Sequence, residues 1–366
     1  MSTTTDENGK TLRVAVIGLW GHEIYARQLL SHPAVQLVAL GEGNDTPAQM
    51  RKRLCDMARD RQVPFEPDVA LLIRRHKPDI CLIMVPPCQA DAVTEIVLSS
   101  GIHVLTEKPI AGNLEAVRRL AHLAAGKNVH IGACLPLPKY SPVYQQAKER
   151  VLAGEIGSVL QASFTYLANK GPLYIAAQPH YRDHQLPSTS LSGGETAMFS
   201  GYGVVALEWL TGSRIASVFA RVGSYFYPSY QQRAMEDMAS VVIKFENGTV
   251  GSMTTGRTPS PSAPTVIGFS LTGTKGNLAY GSNQAPGVID VYGAYTGGDG
   301  RTGDAGGARQ VAIEPEIQVL THDFVDAILE GRTPLLSTSE VISTMEVLAA
   351  IYLSGGSGEE VSVSRI

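Results

Sequence analysis

Alternation of strand and helix patterns over the first third of the chain restricts its fold more than any other feature. Leu12 to Ile17 is an apolar run that ends at Gly18. An amphipathic stretch follows through Leu30, then a second strand pattern from Val35 to Leu40. Ile80–Val85 is a third, Ile102–Thr106 a fourth and Val129–Ala133 a fifth, with helix patterns over 91–99 and 114–125 between them. Short strands separated by helices line up in parallel, with the helices packed on both faces of the sheet.

The pattern changes at Leu135-Pro136-Leu137-Pro138, where two prolines stop both helix and central strand. One more helix is expected over 143–152. Five strand patterns then follow at 159–166, 215–222, 240–245, 249–254 and 265–271, with Asn247-Gly248 as a hairpin turn. Gly281–Gly287 and Gly293–Gly307 are Gly-rich and read as surface loops. Helix patterns over 317–330 and 339–353 close the chain. The expected fold class is α/β: a Rossmann doubly wound parallel sheet over residues 1–133, then an α+β domain with a large open, mostly antiparallel sheet over 134–366. A length of 366 residues suits two domains.

Composition excludes several function classes. Lys+Arg total 30 against Asp+Glu 34, for a formal net charge of −4, and no long basic block offers a nucleic-acid surface. Arg51-Lys52-Arg53 is short and reads as a solvated helix face. The polar stretch Met1–Lys10 lacks the apolar core of a signal peptide, and no apolar run approaches a membrane span. Cys55, Cys81, Cys88 and Cys134 show no Cys-x-x-Cys spacing. Free thiols in a cytoplasmic protein are expected.

Glu107-Lys108-Pro109 closes the fourth strand. That places a lysine at the carboxyl edge of a parallel sheet, where such folds bind ligands. Gly18 lies at the same edge, between strand and helix, as in a dinucleotide-binding turn. The turn reads Gly18-Leu19-Trp20-Gly21-His22-Glu23, with Trp20 and Glu23 where the G-x-G-x-x-G fingerprint has its second and third glycines. Gly21 is displaced by one residue and compensates in part. Glu42 ends the second strand, 24 residues beyond Gly18. An acid there accepts hydrogen bonds from ribose hydroxyls and repels a 2′-phosphate, which favours NAD over NADP.

With these pieces in order, the chain resembles the glucose–fructose oxidoreductase / inositol dehydrogenase (Gfo/Idh/MocA) oxidoreductases. The likeness runs through Gly154-Glu155-Ile156-Gly157, Ser192-Gly193-Gly194, Trp209-Leu210-Thr211-Gly212, Phe245-Glu246-Asn247-Gly248, Gly273-Thr274-Lys275-Gly276 and the segment from Phe324 to Gly331. The resemblance implies hydride transfer between a sugar or polyol and a nicotinamide, with Lys108 beside the ring, and a homo-oligomer built on the second sheet. It implies cofactor contacts from Gly18, Leu19, Trp20, Gly21, Glu42, Val85, Pro86, Glu107 and Lys108. Lys139, and His180, Tyr181 and Arg182 with Asp183 and His184, occupy its substrate-side positions. Asp237 stands where the family often has an acid. No metal is expected from the two histidines and one aspartate of 180–184, because their spacing has no helical period and no distant partner is identifiable.

Several functional positions depart from the family pattern. Met198 and Val205 stand at its two acids, and neither side chain can carry a proton. Tyr202 takes the His/Tyr position and is expected to relay the proton, its pKa lowered from about 10 by Lys108 and the oxidised nicotinamide. Val85-Pro86-Pro87-Cys88-Gln89-Ala90 replaces T-P-N-x-x-H, so the usual asparagine and histidine are missing. The leading reading is an NAD-dependent sugar or polyol oxidoreductase. The alternatives are a non-catalytic sensor or partner protein that binds a dinucleotide or sugar, and a redox-neutral lyase or glycosidase that uses bound NAD.

Overall fold

Five parallel strands form the first sheet in the order β2-β1-β3-β4-β5: β1 (Leu12–Ile17), β2 (Val35–Gly41), β3 (Ile80–Ile83), β4 (His103–Thr106) and β5 (Ile131–Ala133). The computed structural model describes residues 10–44, 46–135, 137–169, 191, 194–232, 235–260, 262–282, 288–293, 309–312 and 319–365. All of β3 is buried, as a strand covered on both faces must be. It stops two residues earlier than its apolar run suggests. The Met84 amide still donates to Ile17 O, but its carbonyl turns to accept from Trp20 N.

The helices of this half are α1 (Ile24–Leu29), α2 (Ala48–Arg61), α3 (Val69–His76), α4 (Pro87–Ser99) and α5 (Leu114–Lys127). The sequence reading left 41–79 without defined elements, and α2 and α3 fill it. Asp68 caps α3 by accepting from Leu71 N at 2.8 Å, and Val69, Leu72 and Ile73 are its buried face. Asn113 caps α5 in the same way through Ala116 N.

Beyond α6 (Leu137–Tyr140) and α7 (Pro142–Leu152) lies a nine-stranded sheet. Its strands are β6 (Val159–Ala168), β7 (Ile215–Gly223), β8 (Met238–Phe245), β9 (Val250–Arg257), β10 (Val266–Gly273), β11 (Gly276–Gly281), β12 (Val288–Gly293), β13 (Arg309–Ala312) and β14 (Val361–Ser362). The order is β13-β12-β11-β10-β6-β9-β8-β7-β14, antiparallel throughout except for the parallel pair β6–β9. The sequence reading found neither β11 to β13 nor β14.

Helix α8 (Glu195–Thr211) crosses the inner face of this sheet and brings its first turns to the rim of the first one. Gly203 permits the crossing, since a Cβ there would stand 2.2 Å from Met253 Sδ and 2.6 Å from the Phe164 ring. The remaining helices are α9 (Pro228–Gln231), α10 (Leu320–Glu330) and α11 (Thr338–Ser357). Ser337 and Glu340 form a reciprocal capping box at the start of α11.

Candidate active site at the sheet rim

The carboxyl ends of β1, β2, β3 and β4 converge where the strand order reverses between β1 and β3, the crevice in which open parallel sheets bind nucleotides. Gly18 donates to Gly41 O at 2.9 Å and so joins the first two ends. Its φ of +81° and the 2.2 Å from a built Cβ to Met84 O leave no room for a side chain. Leu19 is buried in the core of the first sheet. Trp20 is also buried, at 4% exposure, with its amide on Met84 O at 2.7 Å.

Gly21 does more than substitute for a displaced glycine. Its φ is +88°, and a Cβ would come within 2.7 Å of Glu107 Oε1. Glu107 therefore reaches the turn, where Oε1 accepts from His22 N at 2.8 Å and lies 2.8 Å from His22 Nδ1. A carboxylate of the chain already uses one amide of the phosphate turn.

Glu42 is 3% exposed and bound bidentately by Arg51, Nε to Oε2 at 2.9 Å and Nη2 to Oε1 at 2.8 Å. Arg53, two residues further along α2, pairs with Glu23 of the phosphate turn. The Arg51-Lys52-Arg53 face is solvated as expected, and two of its three arms also pair with acids of the rim.

Val85 lies against Gly18, with Cγ1 3.2 Å from a built Cβ, and Pro86 is the N-cap of α4. Across from them Gln89 Oε1 is buried without a hydrogen-bond partner, 2.3 Å from where a Cβ on Gly43 would be.

Lys108 is 9% exposed. Its Nζ donates to Met198 O at 3.0 Å and lies 3.6 Å from Met198 Sδ. The Phe199 and Tyr202 ring centres are 6.0 and 5.7 Å away. Burial pushes the amine's pKa down; the charges of Glu107 and Glu195 oppose this and Arg257 reinforces it.

For Tyr202 the protein's own surroundings act against the expected lowering. Burial pushes its phenol up, and Tyr166, Glu107 and Cys134 push the same way. The phenol is hydrogen-bonded to Tyr25 of α1. Tyr166 completes the aromatic wall, 4.6 Å from Phe199 and 5.6 Å from Tyr202 between ring centres.

Lys139 is not brought to this rim. Its Nζ donates to Leu335 O at 2.8 Å and to Glu340 Oε1, and it stands over the Trp209 ring. Trp209 is eleven residues along α8 from Met198, roughly 16 Å at the helical rise. Asp237 is likewise structural: its buried carboxylate accepts from the amides of Tyr225, Phe226 and Tyr227 at 2.8 to 3.0 Å. His180, Tyr181, Arg182, Asp183 and His184 lie outside the described residues.

The sequence reading missed a buried pair beside Lys108. Glu195, the first residue of α8, meets Arg257 Nε at 2.7 Å and accepts from the Tyr230 hydroxyl. Arg257 lies over the other side of the Phe199 environment, 5.4 Å from the ring centre. The only sequence signal was an acid directly after Gly193-Gly194 and an arginine at a strand end. Cys55, Cys81, Cys88 and Cys134 form no disulfide among the described residues. Among the described residues no grouping of three or more His, Cys, Asp or Glu could hold a metal ion, and no helix is long and apolar enough to cross a membrane.

The rim fits a dinucleotide at its two ends. An acid and an orphaned buried acceptor, Gln89 Oε1, suit the hydroxyls and amine of an adenosine, and a buried amine stands at the far end. Between them the turn has one donor fewer to offer a diphosphate, since Glu107 holds it.

Fold and rim thus define a two-sheet protein with a dinucleotide-binding first domain. Residues 12–133 match the oxidoreductase family with NAD-binding Rossmann fold, and residues 144–279 match the GFO/IDH/MocA C-terminal domain. The chain belongs to the Gfo/Idh/MocA family. It is 23% identical over 353 residues to scyllo-inositol 2-dehydrogenase (NAD(+)) of Bacillus subtilis (strain 168), covering 92% of each chain. Among solved structures it is similar to levoglucosan dehydrogenase in complex with NADH and levoglucosan, with a TM-score of 0.76 and 20% identity over 97% of this chain and 100% of that one. It is also similar to scyllo-inositol dehydrogenase from Lactobacillus casei with bound NAD(H) and scyllo-inositol, with a TM-score of 0.73 and 19% identity over 97% and 100%.

Proposed function

We propose that this chain is an NAD-dependent dehydrogenase that oxidises a hydroxyl of a sugar, a polyol or a derivative of one, with Lys108 as the acid–base group. The observation that carries this reading is the Lys108 amine itself, buried at the sheet rim with its pKa depressed by burial. Bound NAD supplies the hydride acceptor. A neutral amine can donate one N–H to Met198 O and keep its lone pair for the substrate hydroxyl. Tyr202, held protonated, serves as a hydrogen-bond donor to the developing alkoxide rather than as the base. Phe199, Tyr166 and Tyr202 offer apolar faces to the C–H bonds of a sugar or cyclitol ring, a reading supported by what the similar dehydrogenases bind. Gly18, Glu42, Val85, Pro86 and Gln89 hold the cofactor in this reading.

The test is reduction of NAD by the purified chain over a panel of inositols, hexoses and anhydrosugars, with Lys108→Met alongside. Turnover lost in Lys108→Met with NADH binding retained supports the reading. Turnover unaffected by that substitution removes it.

One observation favours a second reading, a non-catalytic dinucleotide or sugar sensor. Met198 and Val205 replace proton-carrying side chains, and Lys108 already has a partner in Met198 O. Tight NADH binding with no turnover on the whole panel, and no loss of binding in Lys108→Met, selects it.

The outer face of the second sheet carries the proposed self-association surface. Val242 of β8 and Val250 of β9 are 60 and 55% exposed there, on adjacent strands.

A further inference from the structure

Any ligand that reaches Glu42 meets Arg51 first. The carboxylate is 3% exposed, while the guanidinium covering it is 56% exposed and sits on the first turn of α2. An acid at the end of the second strand normally excludes a 2′-phosphate by charge. Here the acid and the arginine sum to zero, and a guanidinium bonded through Nε and Nη2 still has donors left for an anion. Arg53 does the same for Glu23, so the second acid at this edge is also neutralised. Lys52, 79% exposed, adds a further positive charge on the same helix, paired only across the solvent-facing side with Asp56.

We propose that Arg51 makes the cofactor site tolerant of a 2′-phosphate, so that the chain binds NADP(H) as well as NAD(H), and that Arg51 rather than Glu42 sets the ratio between them. This rests on the dehydrogenase reading, because it presumes that the adenosine ribose comes to Glu42. The 2′-phosphate is received by the exposed edge of the guanidinium. With the unphosphorylated ribose, Arg51 stays on Glu42 and fixes the carboxylate plane for the hydroxyls.

The experiment is equilibrium titration of the full chain with NADH and NADPH, read by nicotinamide fluorescence. Adenosine 2′,5′-bisphosphate and 5′-AMP serve as competitors. Wild type is expected to bind the two dinucleotides within about tenfold of each other. Arg51→Ala is expected to weaken NADPH by about tenfold or more, the worth of a charge-assisted contact, and NADH by less than about threefold. Arg51→Lys keeps the charge but loses the fork, and falls between. Higher salt weakens NADPH more than NADH. NADH binding with no NADPH binding overturns this proposal alone, as does an equal loss of both in Arg51→Ala. Failure of both dinucleotides to bind wild type overturns the dehydrogenase reading with it.

Discussion

Lys108 Nζ lies 3.0 Å from the carbonyl of Met198 and 3.6 Å from its sulfur, so this amine faces a residue that can neither give nor take a proton. Burial lowers the lysine's pKa against the charges of Glu107 and Glu195, and no carboxylate at 198 adds to theirs. The methionine at 198 and the depressed amine are two sides of one arrangement.

That arrangement predicts the effect of restoring the acid. Met198→Asp places a carboxylate beside Nζ and raises the lysine's pKa by about one unit or more. If the neutral amine is the base, the rising limb of kcat/KM against pH moves to higher pH and activity near neutrality falls. A limb that stays in place, read over pH 5 to 10, rules out Lys108 as the titrating group.

Removing the amine is the more direct measurement. Lys108→Met should cost about 10²- to 10⁴-fold in kcat, the usual worth of a general acid–base group. NADH affinity should change little. A loss confined to KM would make Lys108 a binding group only.

Tyr202→Phe separates the two candidate bases. Burial raises the phenol's pKa and outweighs the hydrogen bond with Tyr25, which lowers it, so the phenol holds its proton throughout the working range. The expected result is a modest fall in rate with the limb of the pH profile unmoved, and a stability loss of about 1 kcal/mol for the hydrogen bond. Disappearance of that limb in Tyr202→Phe would return the proton relay to tyrosine.

Much of this geometry was legible in the sequence because it depends on short-range pattern. The runs ending at Gly18, Gly41 and Thr106 each fall at one edge of a parallel sheet, and that alone brings Gly18, Glu42 and Lys108 together. What was not legible depends on partners distant in sequence. Lys139 matched a family position yet belongs to Glu340, 201 residues away. Tyr202 has a raised pKa because of the bulk around it, which no spacing records. Arg51 and Arg53 are solvent-facing as their spacing suggests, but no spacing records that Glu42 and Glu23 lie within reach of them.

The Glu195–Arg257 pair should be worth more to stability than to specificity. Both side chains are nearly fully buried, at 1 and 6% exposure. Arg257→Ala leaves the Glu195 charge without its cation, and such losses cost about 3–5 kcal/mol. The midpoint of urea unfolding should fall accordingly, while Arg257→Met, which keeps the volume, should lose no more than the alanine. An unchanged midpoint in Arg257→Ala would mean that the pair is not formed in solution.

Stability should also depend on pH through His103. Its Nδ1 accepts from His130 N at 3.0 Å, and the two rings stack with centres 5.4 Å apart. Burial, and then the neighbouring His130, push the His103 pKa down to about 4. The folded state therefore resists a proton that the unfolded chain takes up at the ordinary histidine pKa near 6.5. The unfolded state binds more protons between these values, so stability falls as pH drops from about 6.5 toward 4 and is fully present above. Protonation of Nδ1 also removes the acceptor that orders the loop before β5. Thermal melts from pH 7.5 to 5 should show the decline, and His103→Asn, whose side chain does not titrate there, should flatten part of it. Equal slopes in the two proteins would assign the decline to other groups.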